Sequence, residues 1–156
     1  MAKTQERKKS AGPRLRKTVL RLAAQPDALK VVRNTILKEA GALRIHPEEL
    51  YSMVLAVDEA CANVIRHAYK DGPARPMIIE IEITSRQMSI VIRDSGQAFD
   101  FGEYPRIPVR EAIAQRAERG YGIQIIKSVV DRWEHTRTKS GENRLRLIKY
   151  FHPAGS

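Results

Sequence analysis

Hydrophobic residues recur along this chain with two different periods, and the changes of period divide it into helices and strands. In residues 27–40 and 47–68, apolar side chains return every three or four positions, which is the spacing of one face of an α-helix. Pro26 and Pro47 stand where these helices would begin, and Gly41 follows the first. The second stretch has the stronger apolar stripe, which comprises Leu50, Met53, Val54, Val57, Cys61, Val64 and Ile65.

Alternation of apolar and polar residues predicts strands elsewhere. Residues 18–22 form a short strand candidate, residues 77–84 and 88–92 predict one hairpin, and residues 133–138 and 143–151 predict a closing hairpin. Because consecutive strands come in hairpins, we expect an α+β fold and not a doubly wound parallel sheet. The predicted architecture is a two-layer α/β sandwich, with a mixed, mostly antiparallel sheet and helices on one face.

Residues 97–119 lose all strong periodicity. They contain Gly102, Pro105 and Pro108, with room for a short helix over 111–117, before a helical pattern returns at 122–131. Such a long irregular stretch inside a compact domain is typical of a lid or a binding loop.

The composition is that of one globular domain, with 42% hydrophobic and 29% charged residues in 156 positions. We assign residues 1–17 to a basic disordered tail, 18–152 to the domain and 153–156 to a short C-terminal tail. No apolar run approaches the ~18 residues of a membrane span, and the basic N-terminus lacks the apolar centre of a secretory signal. A cytoplasmic location is therefore expected. The single cysteine, Cys61, lies on the apolar stripe and is expected in the core.

The net charge of +10 is concentrated in the first 17 residues, which carry +6. A charged tail without hydrophobic period is expected to be solvated, with contact to RNA, lipid or an acidic partner as the alternative. Aromatic residues make up only 6% of the chain and suggest no stacking platform for bases. Direct binding of nucleic acid by the domain is therefore not expected.

Glu59 and Asn63 lie four residues apart on the second predicted helix, roughly opposite its apolar stripe, together with Arg66. A carboxylate and an amide one turn apart form a polar ridge that could bind a ligand. Taken alone, the same ridge could simply be a solvated helix face.

Asp94 ends a predicted strand immediately before Ser95 and Gly96. An acid at a strand end above a glycine turn is well placed to accept a hydrogen bond from an exocyclic amine. The alternative is an aspartate that only shapes the turn.

Gly120 and Gly122 flank Tyr121 before the predicted helix that contains Ile123. Glycines allow a phosphate to approach the backbone closely, and the amides at a helix start face an anion. A helix-entry turn without a ligand remains an alternative. Four arginines near this segment could neutralise phosphates or could be solvated: Arg106, Arg110, Arg116 and Arg119.

Together these segments resemble the GHKL (Bergerat-fold) ATPases. The pattern Glu59-x-x-x-Asn63 resembles their N box, Asp94–Asp100 their G1 box and Arg119–Ile123 their G2 box. Ala98 stands where the G1 box often has a second glycine, which is a departure from the pattern.

The phrase from Asp58 to Asn63, with His67-Ala68-Tyr69 after it, is most similar to the anti-sigma factor serine/threonine kinases, and the resemblance covers about residues 18–151. It implies ATP and Mg²⁺ as cofactors. It also implies two partners, a sigma factor and an anti-anti-sigma (STAS-type) protein whose serine or threonine accepts the phosphoryl group. A homodimer is implied as well.

The resemblance assigns roles residue by residue. Glu59 would be the general base and Asn63 the ligand of Mg²⁺, while Asp94 would bind the adenine amino group. The remaining members of the implied nucleotide site are Gly96, Arg119, Gly120, Tyr121, Gly122 and Ile123.

Two other functions use similar binding motifs. One is a regulator that binds nucleotide and sequesters a partner without transferring phosphate, which the sequence leaves open. The other is the ATP lobe of a histidine kinase, which normally needs a dimerisation helix carrying a phosphoacceptor histidine. The first 17 residues contain no histidine and no helical stripe.

Overall fold

The computed structural model describes residues 14–68, 72–98, 100–115 and 121–153, with residues 67 and 68 described by their backbone only. A π-helical turn at Val64–Ala68 extends the second helix, and a 3₁₀ turn lies at Phe101–Glu103. In chain order the elements are β1 (Arg16–Ala23), α1 (Asp27–Ala40), α2 (Pro47–Asn63), β2 (Pro76–Ile83), β3 (Gln87–Asp94), α3 (Val109–Ala114), α4 (Gly122–Val129), β4 (Arg132–Arg137) and β5 (Asn143–Tyr150).

The strands form one five-stranded sheet in the order β1-β2-β3-β5-β4. The α+β sandwich and both predicted hairpins are confirmed. In the described part of the chain every strand pairing is antiparallel, so the sheet is antiparallel and not mixed. The last strand therefore lies between β3 and β4. Its register places Asn143 opposite Asp94 on one side and Arg137 on the other.

The core lies between the helices and one face of the sheet. Alternate residues of β2 are fully buried, and so is the apolar stripe of α2 around Met53 and Cys61. Burial raises the pKa of the Cys61 thiol, and Asp58 raises it further, as expected for a core cysteine. Full burial of one such aliphatic side chain contributes about 1.5–3 kcal/mol. The other face of the sheet is charged and includes the ion pairs Lys17–Glu82 and Arg93–Glu80, both at 3.0 Å.

Element ends differ slightly from those predicted. β1 begins at Arg16, two residues before the predicted domain boundary, because Arg16 and Lys17 already pair with Ile83 and Glu82 of β2. The short helix after Pro108 begins at Val109 and ends at Ala114, instead of spanning 111–117. The rest of the predicted basic tail, residues 1–13, lies outside the described residues, as do residues 154–156.

No helix in the described part of the chain combines the length and the apolar character that crossing a bilayer requires.

Candidate functional site

The candidate site is built where the start of α4 meets the C-terminal half of α2. Gly122 packs so closely there that a Cβ atom on it would lie 2.9 Å from Oε2 of Glu59 and 3.6 Å from Oδ1 of Asn63. Only a residue without a side chain fits such a contact undisturbed. The structure therefore brings together Glu59, Asn63 and Gly122, which the sequence placed in two separate motifs.

The polar ridge of α2 is not a solvated face. Glu59 is only 8% exposed, because α4 covers it, and Asn63 is half-buried. The expectation of a ridge away from the main apolar stripe holds for its position on the helix. The alternative of a simple solvated face is wrong for Glu59, since a second helix packs against that side.

Asn63 is the residue of this site that suits a metal ion. Its amide oxygen accepts one long hydrogen bond, from Nη2 of Arg66 at 3.5 Å, and has a second lone pair for a ligand. Among the described residues, no group of three or more His, Cys, Asp or Glu side chains could hold a metal by itself. One amide oxygen fits Mg²⁺, which prefers oxygen ligands and keeps several waters or phosphate oxygens of its own.

Asp94 ends β3 and is 6% exposed. Its Oδ1 accepts two hydrogen bonds, from the backbone N of Gly96 at 2.9 Å and from Nδ2 of Asn143 at 3.0 Å. No donor to Oδ2 is found among the residues that the structure describes. The carboxylate therefore keeps one oxygen available to accept a bond from a ligand, as the adenine role requires.

Asn143 is a residue of this site that sequence reasoning missed. It is 2% exposed, and its Nδ2 also lies 3.3 Å from the carbonyl oxygen of Gly96 and 3.2 Å from that of Gln97. Its Oδ1 accepts from Nη1 of Arg137 at 2.7 Å, and the same Nη1 donates to the carbonyl of Gly96 at 3.1 Å. Asn143 and Arg137 thus hold the turn after Asp94 from the neighbouring strands.

His135 lies on β4 behind this turn. Burial lowers the pKa of its imidazole, and Arg137 lowers it too, while the charges of Asp94 and Asp100 act in the opposite direction. The ring packs 6.0 Å from that of Phe101, centroid to centroid. The partly apolar environment therefore favours the neutral form of the imidazole.

The remaining predicted site residues are placed as follows. Tyr121 is half-buried at the start of α4, and its carbonyl accepts from the backbone N of Ile125 at 3.0 Å. Ile123 is buried in the hydrophobic core, so any contact of it with a ligand would come from its backbone. Arg119 and Gly120 lie outside the described residues.

Comparison with protein families gives one match over most of the chain. Residues 22–149 match the model of the histidine kinase-like ATPase domain. Among curated proteins, the chain is 26% identical over 117 residues to the serine-protein kinase RsbW of Bacillus subtilis, covering 72% of each chain. It is also 26% identical over 121 residues to the serine-protein kinase RsbW of Bacillus pumilus, covering 74% of this chain and 75% of that protein.

Two solved structures share the fold. The RsbU and RsbW domains of a Mycobacterium tuberculosis protein superpose with a TM-score of 0.64 at 14% identity, over 89% of this chain and 34% of that one. The chain thus spans about a third of that larger protein. The SiaB–SiaC complex from Pseudomonas aeruginosa gives a TM-score of 0.61 at 11% identity, over 86% of this chain and 89% of the other.

Proposed function

Because the chain belongs to the histidine kinase-like ATPase domain family, we propose that it is an ATP-dependent serine/threonine protein kinase that binds a sigma factor and phosphorylates an anti-anti-sigma (STAS-type) protein. The observation that carries the proposal is the close approach of Gly122 to Glu59 and Asn63. It joins a carboxylate base, a metal-binding amide and a glycine at a helix start. The relatives named serine-protein kinases support the choice of acceptor, and we propose a cytoplasmic homodimer as the working form.

Asp94 would recognise the adenine base. Its Oδ2 is the acceptor for the exocyclic amino group, while Oδ1 is already saturated by Gly96 and Asn143. A buried acceptor that needs a donor discriminates strongly against a ligand that lacks one, because the acceptor would lose its hydration without gaining a hydrogen bond.

Asn63 would hold Mg²⁺ through its amide oxygen, and the guanidinium of Arg66 beside it adds positive charge near the phosphates. When bound there, Mg²⁺ would supply positive charge that offsets the negative charge of the phosphates. The amides of the α4 N-terminus, from Gly122 onward, would face the same phosphates.

Glu59 would act as the general base. It takes the proton from a serine or threonine hydroxyl while the hydroxyl oxygen forms a bond to the γ-phosphorus of ATP. The bond from that phosphorus to the bridging oxygen breaks, and ADP leaves. A positioned carboxylate of this kind typically contributes ~10²–10⁴-fold to the rate.

A second candidate is a nucleotide-binding regulator that holds its partner without transferring phosphate. The burial of Glu59 beneath α4 supports it, because an acceptor hydroxyl reaches that carboxylate only if the start of α4 gives way. Both candidates use the same nucleotide contacts, so only the transfer step separates them.

The test is capture of partners from native cytoplasm on the full chain, with and without ATP and Mg²⁺, followed by a search for phosphorylated serine or threonine on the captured proteins. The proposal predicts phosphate on a captured STAS-type protein when γ-labelled ATP is supplied. The Glu59→Gln variant should still bind ATP and the partner, and should lose transfer ~10²–10⁴-fold.

Three outcomes of this experiment would contradict different parts of the proposal. Full activity in Glu59→Gln would show that another group is the base. A wild-type chain that binds ATP and its partner but leaves the partner unphosphorylated would support the second candidate. Absence of any ATP binding would overturn both.

A further inference from the structure

Lys127 is a buried cation on α4 that the proposed reaction does not use. It is 4% exposed, and no carboxylate within the described residues forms an ion pair with it. Its Nζ donates to the backbone carbonyl of Tyr104 and lies 4.5 Å from the centre of the Trp133 ring and 5.1 Å from that of Phe101. The ammonium group therefore lies against a pair of aromatic rings that also contact each other, and it holds the backbone of the loop that follows the Asp94 turn.

Arg106, which belongs to that loop, donates hydrogen bonds to carbonyls at the end of α4. Its Nε donates to the carbonyl of Lys127 at 2.7 Å and its Nη2 to the carbonyl of Val130 at 3.0 Å. Carbonyls in the last turn of a helix have no partner within the helix, so these bonds satisfy them. The loop and the end of α4 are thus joined by bonds in both directions.

The start of this loop is also fixed. Asp100 accepts a hydrogen bond from the backbone N of Gly102 at 2.8 Å, which closes the 3₁₀ turn. Phe101 in that turn is fully buried, with its ring 4.8 Å from that of Trp133.

One end of α4 therefore contacts the candidate site, and the other end contacts the loop that follows the Asp94 turn. Its first residue, Gly122, packs against Glu59, and its last turn is bonded to the loop that begins six residues after Asp94. An eight-residue helix is about 12 Å long and stiff. We therefore expect a displacement of the loop at the C-terminal end of α4 to be transmitted to Gly122 at its N-terminal end.

We propose that Lys127 and Arg106 are positioning residues, which clamp residues 100–106 onto α4 and so fix the adenine-side turn at Asp94 relative to the phosphate-side contact of Gly122 with Glu59. The inference rests on the proposed nucleotide site and adds to it the device that sets its geometry.

Packing alone gives no reason for a lysine at this place. Burial lowers the pKa of Lys127, with Asp100 acting in the opposite direction, so its charged form is disfavoured where it stands. A methionine of similar length would pack against the same two rings without that desolvation cost. It would lose the hydrogen bond to the Tyr104 carbonyl and the contacts of the ammonium group with the two rings.

The fluorescence of Trp133 can report on the surroundings of Lys127, because Trp133 is the single tryptophan of the chain and lies against Lys127. We would measure three quantities on the full chain: the thermal midpoint, the affinity for ATP in Mg²⁺ by calorimetry, and the change in Trp133 emission on addition of nucleotide. The variants are Lys127→Met and Arg106→Gln. The matched control is Lys30→Met, which removes an exposed lysine from α1.

We expect Lys127→Met to keep a thermal midpoint within ~4 °C of the wild type and to bind ATP about tenfold more weakly. The nucleotide-induced change in Trp133 emission, present in the wild type, should be lost. Arg106→Gln should weaken binding in the same direction, and Lys30→Met should leave all three quantities unchanged.

A Lys127→Met chain that binds ATP as tightly as the wild type, with the same emission change, would overturn the inference and leave the proposed function standing. A wild-type chain that binds ATP without any response of Trp133 would also overturn it. If Lys127→Met does not fold, Arg106→Gln carries the test, and failure of both to fold would assign these contacts a purely structural role. A wild-type chain that does not bind ATP would overturn the proposed function together with the inference.

Discussion

The side-chain amide of Asn143 donates to Oδ1 of Asp94 across 3.0 Å, and this bond determines which carboxylate oxygen is left for a ligand. The backbone N of Gly96 binds the same oxygen at 2.9 Å. Both internal donors converge on one atom, so the orientation of the carboxylate is fixed before any nucleotide arrives. Pre-organisation of this kind saves the ligand the entropic cost of ordering the site.

Replacement of Asn143 by alanine should weaken both the fold and the nucleotide site. The change removes one of the two donors to the buried carboxylate of Asp94 and the donor to the carbonyl of Gln97, which costs about 1–3 kcal/mol of unfolding free energy. Urea unfolding measures that loss, and calorimetric titration with ATP should show reduced affinity. Asn34→Ala, at an exposed position of α1, is the matched control. Equal ATP affinity in the Asn143 variant and the control would show that Asp94 does not need this partner.

Gly122→Ala should damage catalysis more than stability. The added Cβ would meet Oε2 of Glu59 at 2.9 Å, and that oxygen ends a flexible side chain that can rotate aside. Alanine at a helix start also costs less backbone entropy than glycine. We therefore expect a change in unfolding free energy below ~1 kcal/mol, with phosphoryl transfer reduced about tenfold or more because the base is displaced.

The control for this variant is Gly41→Ala. A Cβ at Gly41 would meet only backbone oxygens at ordinary distances, 3.4 Å and 3.5 Å, and φ there is −62°. A Gly122 variant that unfolds at lower urea concentration yet keeps its rate per folded molecule would contradict the assigned contact.

Asn63→Ala should abolish the dependence of nucleotide binding on Mg²⁺. The variant removes the only side-chain oxygen that we assign to the metal, while Glu59 and Asp94 stay in place. Calorimetric titrations with ATP, in Mg²⁺ and in EDTA, should give the same weak affinity for the variant and different affinities for the wild type. Affinity in Mg²⁺ equal to that of the wild type would rule out the metal role of Asn63.

His135 should make stability fall in mild acid. Burial lowers the pKa of this imidazole below its ordinary value of 6.5, so the unfolded chain binds the proton more readily than the folded one. Its contribution is present above pH 6.5 and is lost as pH falls from there toward the folded-state pKa. Urea unfolding of the wild type should show this slope, and His135→Gln should reduce it.

His46→Gln removes an exposed imidazole just before α2 and serves as the matched control. A slope that persists unchanged in His135→Gln would assign the acid sensitivity to other groups.

Much of the fold followed from the sequence because local patterns determine it. The alternation in residues 77–83 identified β2, and Pro26 and Gly41 bracketed α1 to the residue. Glu59, Asn63 and Asp94 could be singled out as candidate site residues because each motif is short and contiguous, and their chemical roles stay predictions. These are properties of the chain over a few residues, which periodicity and spacing capture.

Contacts between residues far apart in the sequence could not be predicted from local patterns. Asn143 became part of the site only through the register of β5 against β3, and nothing in its own neighbourhood in the sequence distinguishes it from an ordinary turn residue. The burial of Glu59 could not be predicted either, because it depends on which helix packs across α2. Hydrophobic periodicity identifies the face that packs on the sheet, but it carries no information about a second, polar helix contact on the opposite side.

The order of strands in the sheet has a consequence for the protein during its synthesis. Of the five described strands, β5 is the last in the sequence yet lies inside the sheet, so β3 keeps an open edge during synthesis until residues 143–150 leave the ribosome. Such an edge invites association with other nascent chains. Until then Asp94 also lacks the amide of Asn143, so we expect an unfinished chain to bind the ligand more weakly than finished copies do.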